Sequence, residues 1–551
     1  MAKDNGDKIP ESTPGAGTGK PKDKLGEILF AISSAAHDKV KSQTVGLTSL
    51  LDADISKMQV QTPPAPVPDT TTHSNTLHRS SYSKRLIEAE PTESALSPAF
   101  AKDYARIIHS PSFRRLQGKT QLIPSGENDF FRTRLTHSLE VAEIASRIAL
   151  RLNERYKDTD QEYFINPDIV VCASLLHDIG HPPFGHSGEE MLNVKMAKFG
   201  GFEGNAQTLR IVTNLESRLG RGGSLIDAEI KGPRGLNLTV GTLSAILKYD
   251  FESHGPIVEN DKFLVNKGYY PSERDTVDKL KVMLGMAEGV RLQTLECQVM
   301  DIADDIAYSA YNLEDTLEAG IVAPFDLMSI DDRTLSLVTR DVNDQLAKRH
   351  PDLKVESNVI LYHLSNVFGT LILDGDPNRK YQFDKRLDRI VFVGRTYAES
   401  QQHARNPLVR RQYLETLIEE NIESIRVAYN PSVPCLSRLV VDANRLITIE
   451  AMKAFNFHKV ISSRRLQLHH HRAKNIIAAI FDALAKDRDG HLLSEHQRYL
   501  LSLCSGDAEQ REREHMRLIS DIVSAFTDSE ALRFYDQLQS SRNTPFLSYN
   551  R

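Results

Sequence analysis

The chain contains few cysteines and lacks a long apolar run. Its four cysteines, Cys172, Cys297, Cys435 and Cys504, are far apart and form no C-x-x-C pair. This spacing argues against a zinc ribbon and a disulfide framework, and it favours a reducing, cytoplasmic environment. No stretch reaches the roughly 18 consecutive apolar residues of a transmembrane helix, so we expect no membrane contact. Residues 1–8 include acidic side chains and no apolar segment, unlike a secretory or transit peptide.

The chain also lacks an excess of charge of either sign. Its net charge of −6 leaves no overall basic footprint for nucleic acid or anionic lipid, although a local basic patch is compatible with it. Forty per cent apolar and 26% charged residues are typical of a soluble globular protein. The 551 residues can bury a large core, and this length alone would allow two or more domains.

Residues 1–79 differ in composition from the rest of the chain. Up to about residue 23 they are rich in Lys, Gly, Pro, Thr and Ser, which predicts disorder. Residues 25–60 could form an amphipathic helix, either docking a partner or lying loosely on the surface. Residues 61–79 contain the run Thr-Pro-Pro-Ala-Pro-Val-Pro and are expected to be an extended linker.

From about residue 80 the apolar residues recur mainly at helical spacing, which predicts an all-α fold. We expect residues 80–330 to form a helical core and residues 331–551 to complete the same globular unit. In the second part, helices are expected over residues 411–428, 440–457, 469–486 and 516–540. Residues 120–124 and 263–266 are expected to be short strands or extended loops.

Two segments carry histidines that could bind a metal. His137 lies in a run whose apolar residues recur at helical spacing. His177 and Asp178 end an apolar run in which Asn166 is the expected N-cap and Pro167 the first helical residue. A His-Asp pair at the end of an apolar helix is costly to bury unpaired, so a partner is expected.

A third segment is rich in carboxylates. On a helix, Asp301, Asp304 and Tyr308 fall at positions i, i+3 and i+7, on one face. The carboxylates of Asp301, Asp304 and Asp305 repel one another unless a cation or solvent intervenes. A solvated acidic face is the alternative explanation. The imidazoles and carboxylate of the other two segments favour a mixed nitrogen and oxygen site for a divalent ion.

The order of these groups resembles the H…HD…D signature of the HD-domain phosphohydrolases. Residues 106–121, 177–190 and 201–207 are similar to the deoxyguanosinetriphosphate triphosphohydrolase branch, and the resemblance extends from about residue 80 to about residue 538. It implies an HD-domain helical core with additional C-terminal helices. It also implies metal-dependent hydrolysis of deoxynucleoside triphosphates, dGTP among them, to deoxynucleoside and inorganic triphosphate.

The resemblance also implies roles for individual residues. The predicted metal ligands are His137, His177, Asp178 and Asp304, the last chosen over Asp305 because it lies four residues before the family's tyrosine, here Tyr308. The predicted catalytic pair is His186, which passes protons, and Glu189, which orients its ring; the alternative is that His186 only caps the next helix. The predicted substrate-binding residues are Gln121 at the 3′-hydroxyl, Arg134, His181 and Lys248 at the phosphates, and Tyr308 and Asn312 at the deoxyribose.

Some of these assignments have alternative explanations, and the sequence departs from the family pattern at two positions. Lys248 could instead be an exposed lysine at a helix end. The family usually has an aspartate where this chain has Asn312, and a proline where it has Asp250. The run His469-His470-His471 is predicted to be a solvated or partner-facing patch, because consecutive helical residues point in different directions and cannot all face one ion.

The resemblance implies Mn²⁺ or Mg²⁺ as the cofactor, while the ligand set alone would also accept Fe²⁺, Co²⁺ or Zn²⁺. It implies a homo-oligomer and a response to nucleotide or single-stranded DNA. Two alternative functions use the same residues. One is a phosphohydrolase for another substrate, such as a nucleoside monophosphate, a cyclic nucleotide or a single-stranded DNA end. The other is a sensor that binds deoxynucleoside triphosphate with little turnover.

Overall fold

The computed structural model describes residues 79–87, 98–123, 131–158, 164–216, 235–259, 262–287, 289–327, 329–350, 353–372, 397–398, 400–402, 404–430 and 437–539. The predicted disordered arm, the amphipathic helix of residues 25–60 and all of the predicted linker except Arg79 lie outside these ranges.

The described part of the chain is mainly helical, as the sequence predicts. Its α-helices, in chain order, are α1 (Ala99–His109), α2 (Pro111–Arg115), α3 (Arg134–Arg155), α4 (Pro167–Leu176), α5 (His186–Lys195), α6 (Gly204–Arg210), α7 (Val240–Ile246), α8 (Arg274–Met283), α9 (Leu295–Glu318), α10 (Asp332–Arg349), α11 (Ser357–Ile372), α12 (Pro407–Glu423), α13 (Ala443–Asn456), α14 (Arg464–Lys486), α15 (Glu495–Ser502), α16 (Ala508–Ala525) and α17 (Asp528–Gln539). Short 3₁₀ turns cover Arg79–Ser81, Leu116–Gly118, Ala197–Phe199, Pro271–Glu273 and Pro324–Leu327, and π-helical turns extend α6 over Ile211–Leu215 and α13 over Phe457–Ile461.

Two hydrophobic clusters support the helices. One lies among α1, α4, α7 and α8 and includes Ile107, Leu176 and Leu280, all fully buried. The other joins α5 to the C-terminal helices, where Leu192 packs with Ile477 of α14 and Ile519 of α16. Helices α3, α4 and α9 pack against one another. These three helices carry, or lead directly into, the segments with the predicted metal ligands.

Four short strands form two antiparallel hairpins. Strand β1 (Ile257–Glu259) pairs with β2 (Lys262–Leu264). Strand β2 overlaps the short strand or extended loop expected at residues 263–266. Strand β3 (Ile425–Ala428) pairs with β4 (Arg438–Val441). In the other expected extended piece, residues 120–124, the described residues 120–123 contribute an isolated bridge between Thr120 and Thr133 and no longer strand.

The second hairpin corrects two predicted helices. The helix expected over residues 411–428 ends at Glu423, and the one expected from residue 440 begins at Ala443. The β-branched residues Ile425 and Val441 lie opposite each other in the hairpin, an environment that suits such side chains better than a helix does. The pairing joins residues on either side of a loop, which a local helical pattern could not anticipate.

The helix expected over residues 516–540 is two helices, α16 and α17. The chain is extended at Phe526, and Thr527 then starts α17. The Glu530 backbone N–H donates to Thr527 Oγ1 at 3.2 Å, and the Thr527 N–H donates to Glu530 Oε2 at 2.8 Å. This is a capping box, a start signal present in the sequence that the apolar periodicity obscured. The helix expected over residues 469–486 lies within α14, which begins earlier, at Arg464.

Among the described residues, none of the helices combines the length and the apolar content needed to cross a lipid bilayer.

Candidate metal centre and active site

Local sequence signals place the first two histidines. Helix α3 begins with a capping box between Thr133 and Thr136, which puts His137 in its first turn. Helix α4 begins as predicted, with the Asn166 side chain accepting hydrogen bonds from two backbone N–H groups and Pro167 in the first position. It ends at Leu176, so His177 closes the helix and Asp178 lies in the turn beyond it.

A close approach of two backbones fixes that turn. A Cβ atom at Gly180 would collide with the Gly204 carbonyl oxygen at the start of α6, so a residue with a side chain does not fit there. The Gly180 N–H donates to Thr208 Oγ1 at 3.1 Å. Helix α6 is thereby held against the turn that carries Asp178.

The four predicted metal ligands come together at this point. One ligand atom from each of His137, His177 and Asp178 lies within 4.8 Å of the others, and all three residues are buried. Asp304 Oδ1, from α9, lies 3.2 Å from His137 Nε2 and 3.7 Å from His177 Nε2. His177 Nε2 is 3.6 Å from Asp178 Oδ1. Three helical segments therefore bring two imidazoles together, with Asp178 close to one of them and Asp304 close to both.

The protonation of His177 suits a metal ligand. Its Nδ1 lies 2.6 Å from the Ser174 carbonyl oxygen, which can only accept, so Nδ1 carries the proton. The other nitrogen, Nε2, is buried and has no hydrogen-bond partner among the described residues, although Asp178 and Asp304 lie near it. A buried nitrogen lone pair beside two carboxylates is costly unless a cation lies between them. The residues present therefore fit a divalent ion.

Both carboxylates of this set stay ionised. Burial alone would raise the pKa of Asp178, but Arg134, whose Nη1 donates to Oδ2 at 2.6 Å, and the nearby histidines hold it well below its usual range. Burial likewise opposes ionisation of Asp304, and its contacts with His177, His137 and Lys248 lower its pKa strongly. Arg134, predicted to contact phosphate, is buried and paired with Asp178.

Lysine and arginine side chains separate the acidic residues of α9. Lys248 Nζ lies 2.7 Å from Asp301 Oδ1 and 3.5 Å from Asp304 Oδ2. Asp305 faces another direction and pairs with Lys453 at 2.7 Å and Arg349 at 2.9 Å. Lys248 is only 16% exposed, so it is not a lysine at an exposed helix end. The acidic segment is therefore a set of paired carboxylates and not a solvated face.

His186 and Glu189 form a hydrogen-bonded pair at the start of α5. His186 Nδ1 is 3.0 Å from Glu189 Oε2, and Glu189 Oε1 accepts from the Gly204 N–H at 2.8 Å. Burial opposes ionisation of Glu189, but His186 and His181 bring its pKa well below its usual value. The His186 side chain is 74% exposed, so it can reach solvent. Gly185 is the N-cap and His186 the first helical residue, so His186 is not the capping residue.

The remaining predicted substrate residues surround these groups. His181 Nδ1 lies 3.0 Å from Asp178 Oδ1, and burial lowers the pKa of His181 to about 4, so its ring is neutral near pH 7. Tyr308 lies one turn before Asn312 on α9, and Asn312 Nδ2 is buried without a hydrogen-bond partner among the described residues. Gln121 Oε1 is buried without a hydrogen-bond partner in the described part of the chain.

Two residues next to this site were not predicted to belong to it. Lys119 is buried and donates to the carbonyl oxygens of His181 at 2.6 Å and Ser524 at 2.9 Å, and burial lowers its pKa to about 7. His470 Nδ1 lies 2.6 Å from Ser187 Oγ, beside the predicted catalytic histidine. Within the run predicted to be a solvated or partner-facing patch, His469 and His471 are exposed, whereas His470 is half-buried against α5.

The chain is similar to known protein families and to individual known proteins. Residues 134–309 match the HD domain family, and residues 439–537 match the phosphohydrolase-associated domain. A deoxyguanosinetriphosphate triphosphohydrolase-like protein 2 of Mesorhizobium japonicum is 37% identical over 453 residues, which cover 80% of this chain and 93% of that protein. A deoxyguanosinetriphosphate triphosphohydrolase-like protein of Shewanella sp. strain ANA-3 is 29% identical over 478 residues, covering 80% and 92%. A Bifidobacterium longum protein of the same description is 40% identical over 247 residues, covering 43% and 46%.

The HD-domain match confirms the predicted helical fold class, and its span includes all four predicted metal ligands. The chain belongs to the deoxyguanosinetriphosphate triphosphohydrolase-like family of HD-domain phosphohydrolases.

Proposed function

We propose that the chain hydrolyses deoxynucleoside triphosphates, dGTP among them, to deoxynucleoside and inorganic triphosphate, with one divalent cation held by His137, His177, Asp178 and Asp304. The observation that carries the proposal is the grouping of His137, His177 and Asp178, with Asp304 close to both imidazoles and His177 Nε2 buried without a hydrogen-bond partner among the described residues. Mn²⁺ or Mg²⁺ is the expected ion. Divalent ions supply Lewis acidity and neutralise charge that develops on phosphoryl oxygens.

Proton transfer is assigned to His186 and Glu189. The ionised Glu189 accepts from Nδ1 and so keeps the lone pair of His186 on Nε2. That nitrogen takes a proton from the water that attacks the α-phosphorus. The bond between this phosphorus and the 5′-oxygen then breaks, and the proton is delivered to the leaving oxygen. The exposure of His186 leaves it able to meet both water and substrate.

Substrate recognition is assigned to polar groups around the proposed ion. Lys248, already placed between two carboxylates, offers an ammonium to the triphosphate. Gln121 offers a buried acceptor to the 3′-hydroxyl. Tyr308 packs beneath the deoxyribose, where its ring excludes a 2′-hydroxyl, and Asn312 contributes a hydrogen bond. His181 and Arg134 lie on the phosphate side, with Arg134 acting chiefly by holding Asp178.

The proposal is tested by incubating the purified protein with each deoxynucleoside triphosphate and Mn²⁺ and identifying the products by phosphorus NMR. Inorganic triphosphate is the expected product. His177→Ala and Asp178→Asn should abolish turnover, whereas His254→Ala, at an exposed histidine elsewhere, should not. Release of phosphate or of a nucleoside monophosphate would favour another phosphohydrolase. Tight binding of the nucleotide without turnover would favour the sensor alternative.

We further propose a homo-oligomer in the cytoplasm that responds to nucleotide or single-stranded DNA, as the family resemblance implies. Light scattering coupled to gel filtration measures the subunit number. Turnover measured with and without a single-stranded oligonucleotide, or with a second nucleotide, tests the response.

A further inference from the structure

We propose that His181, His186 and Glu189 form a second divalent-cation site, suited to an imidazole-preferring ion such as Zn²⁺, and that its occupation inhibits the enzyme. One donor atom from each of the three residues lies within 4.8 Å of the others. Together they form a group distinct from the four predicted ligands of the catalytic ion. The inhibitory effect rests on the proposed function, whereas binding of the cation does not.

The shape of the cluster suits a small ion. The imidazole rings of His181 and His186 lie 5.4 Å apart, centre to centre, at 73° to each other. Gly204 backs the cluster, since a Cβ atom there would lie 3.2 Å from Glu189 Oε1 and 3.5 Å from His181 Nδ1. The glycine thus leaves space beside the Glu189 and His181 side chains. The large exposure of His186 gives an ion access from solvent.

The donor set determines which ion fits. Two imidazole nitrogens and one carboxylate oxygen are a combination that Zn²⁺ takes in open, three-ligand protein sites. Mg²⁺ prefers oxygen ligands and near-ideal octahedral geometry, so it competes poorly for this set. Glu189 is a buried carboxylate whose Oε2 lies against the His186 ring, and a cation beside Oε2 would offset the cost of burying it.

Occupation of this site would stop proton transfer. An ion bound to His186 Nδ1 and Glu189 Oε2 replaces the 3.0 Å hydrogen bond between them. His186 would then be held as a ligand and could not accept a proton from the attacking water. Inhibition by Zn²⁺ should therefore persist at saturating Mn²⁺ and saturating nucleotide, because the inhibitory ion and the catalytic ion use different side chains.

Binding is tested first, on the full chain, by isothermal titration with Zn²⁺ and by the visible absorption of Co²⁺. The wild-type protein should bind two equivalents. His186→Ala and Glu189→Gln should each lose one, with affinity at that site reduced by more than the roughly 10- to 100-fold typical of losing an outer-shell partner. His177→Ala should lose the other equivalent. The control is His491→Ala, since His491 is 79% exposed, close to the exposure of His186.

The outcomes separate the two proposals. The second site is refuted if the wild type binds one equivalent, or if His186→Ala and Glu189→Gln still bind two. Its inhibitory role is refuted if wild-type turnover is unchanged when the second equivalent is bound. If the variants lose an equivalent but the wild type never releases triphosphate, the cation site stands and the proposed reaction fails. If triphosphate is released and the variants still bind two equivalents, the proposed reaction stands and the second cation site is refuted.

Discussion

A buried ion pair joins the C-terminal helices to the core, and breaking it should destabilise the whole protein. Asp521 of α16 is only 6% exposed. It accepts from Gln207 Nε2 at 2.9 Å, from Arg210 Nε at 3.0 Å and from Arg210 Nη2 at 2.8 Å. Gln207 and Arg210 belong to α6, the helix whose first residue, Gly204, donates to Glu189. We therefore choose Asp521→Ala as the perturbation.

The expected magnitude follows from burial. Removing one member of a buried ion pair typically costs about 3–5 kcal/mol, because the remaining charge is left without its partner. Arg210 would keep two longer contacts, with the Glu273 carboxylate at 3.4 Å and the Ser272 hydroxyl at 3.4 Å. An exposed pair contributes about 0–1 kcal/mol. Glu509, exposed and paired with Arg513 on the same helix, therefore provides a matched control, Glu509→Ala. At roughly 2 °C per kcal/mol, Asp521→Ala should lower the melting temperature by roughly 6–10 °C.

The assay is thermal unfolding followed by circular dichroism, without metal or nucleotide. It is applied to the wild type, to the single variants Asp521→Ala, Arg210→Ala and Glu509→Ala, and to the double variant Arg210→Ala/Asp521→Ala. Arg210→Ala combined with Asp521→Ala should cost much less than the sum of the two single changes, because the second removes a charge that the first left unpaired. An Asp521→Ala effect no larger than that of Glu509→Ala would refute the reasoning. It would mean that α16 is not held to α6 by this pair.

Three further predictions concern the site and its surroundings. Tyr308→Ala should shift the ratio of GTP to dGTP turnover by about 10-fold or more in favour of GTP; an unchanged ratio in competition assays would contradict the steric explanation. Glu140 is 26% exposed and shares Arg132 with two other carboxylates. Burial raises the pKa of Glu140 to about 7. The folded state then holds a proton that the unfolded state releases from about pH 4.5, so stability should fall as pH rises towards 7, by up to ~3 kcal/mol. Glu140→Gln should remove that fall in denaturant titrations. His470→Ala should lower kcat roughly 2- to 10-fold with KM unchanged, as expected for one hydrogen bond, whereas His471→Ala should leave both unchanged.

Much of the site could be predicted because its signals are local or come from a known motif. The cap formed by Asn166 and Pro167 depends on neighbouring residues, and the structure has it where the sequence predicts it. The grouping of His137 with His177 came from the order of motif residues. Long-range contacts gave no such signal. Lys119 contacts a carbonyl oxygen 405 positions away, at Ser524, and nothing near Lys119 in the sequence indicates that partner.

Helix boundaries were missed for a related reason. Periodicity reports which residues are apolar, but it does not report what they pair with. Ile425 would fit the apolar face of a helix as well as a strand, and its pairing with Val441 decides between them. The break between α16 and α17 was different, since Thr527 and Glu530 form a capping box that the sequence contains. That boundary could have been found from the sequence alone.

The acidic segment of α9 illustrates both the reach and the limit of sequence reasoning. Helical geometry put Asp301 and Asp304 on one face, and charge repulsion indicated that a cation or solvent lies between the carboxylates of this segment. The sequence could not say which cations these are. Lys453, 148 positions from Asp305, takes that carboxylate, while Lys248 approaches Asp304 from another helix end. Since Lys248 also pairs with Asp301, its ammonium is only partly committed to Asp304, whose other oxygen faces the imidazoles of His137 and His177. Asp304 thus keeps Oδ1 for the proposed ion, while Lys248 partly offsets the charge of the same carboxylate at Oδ2.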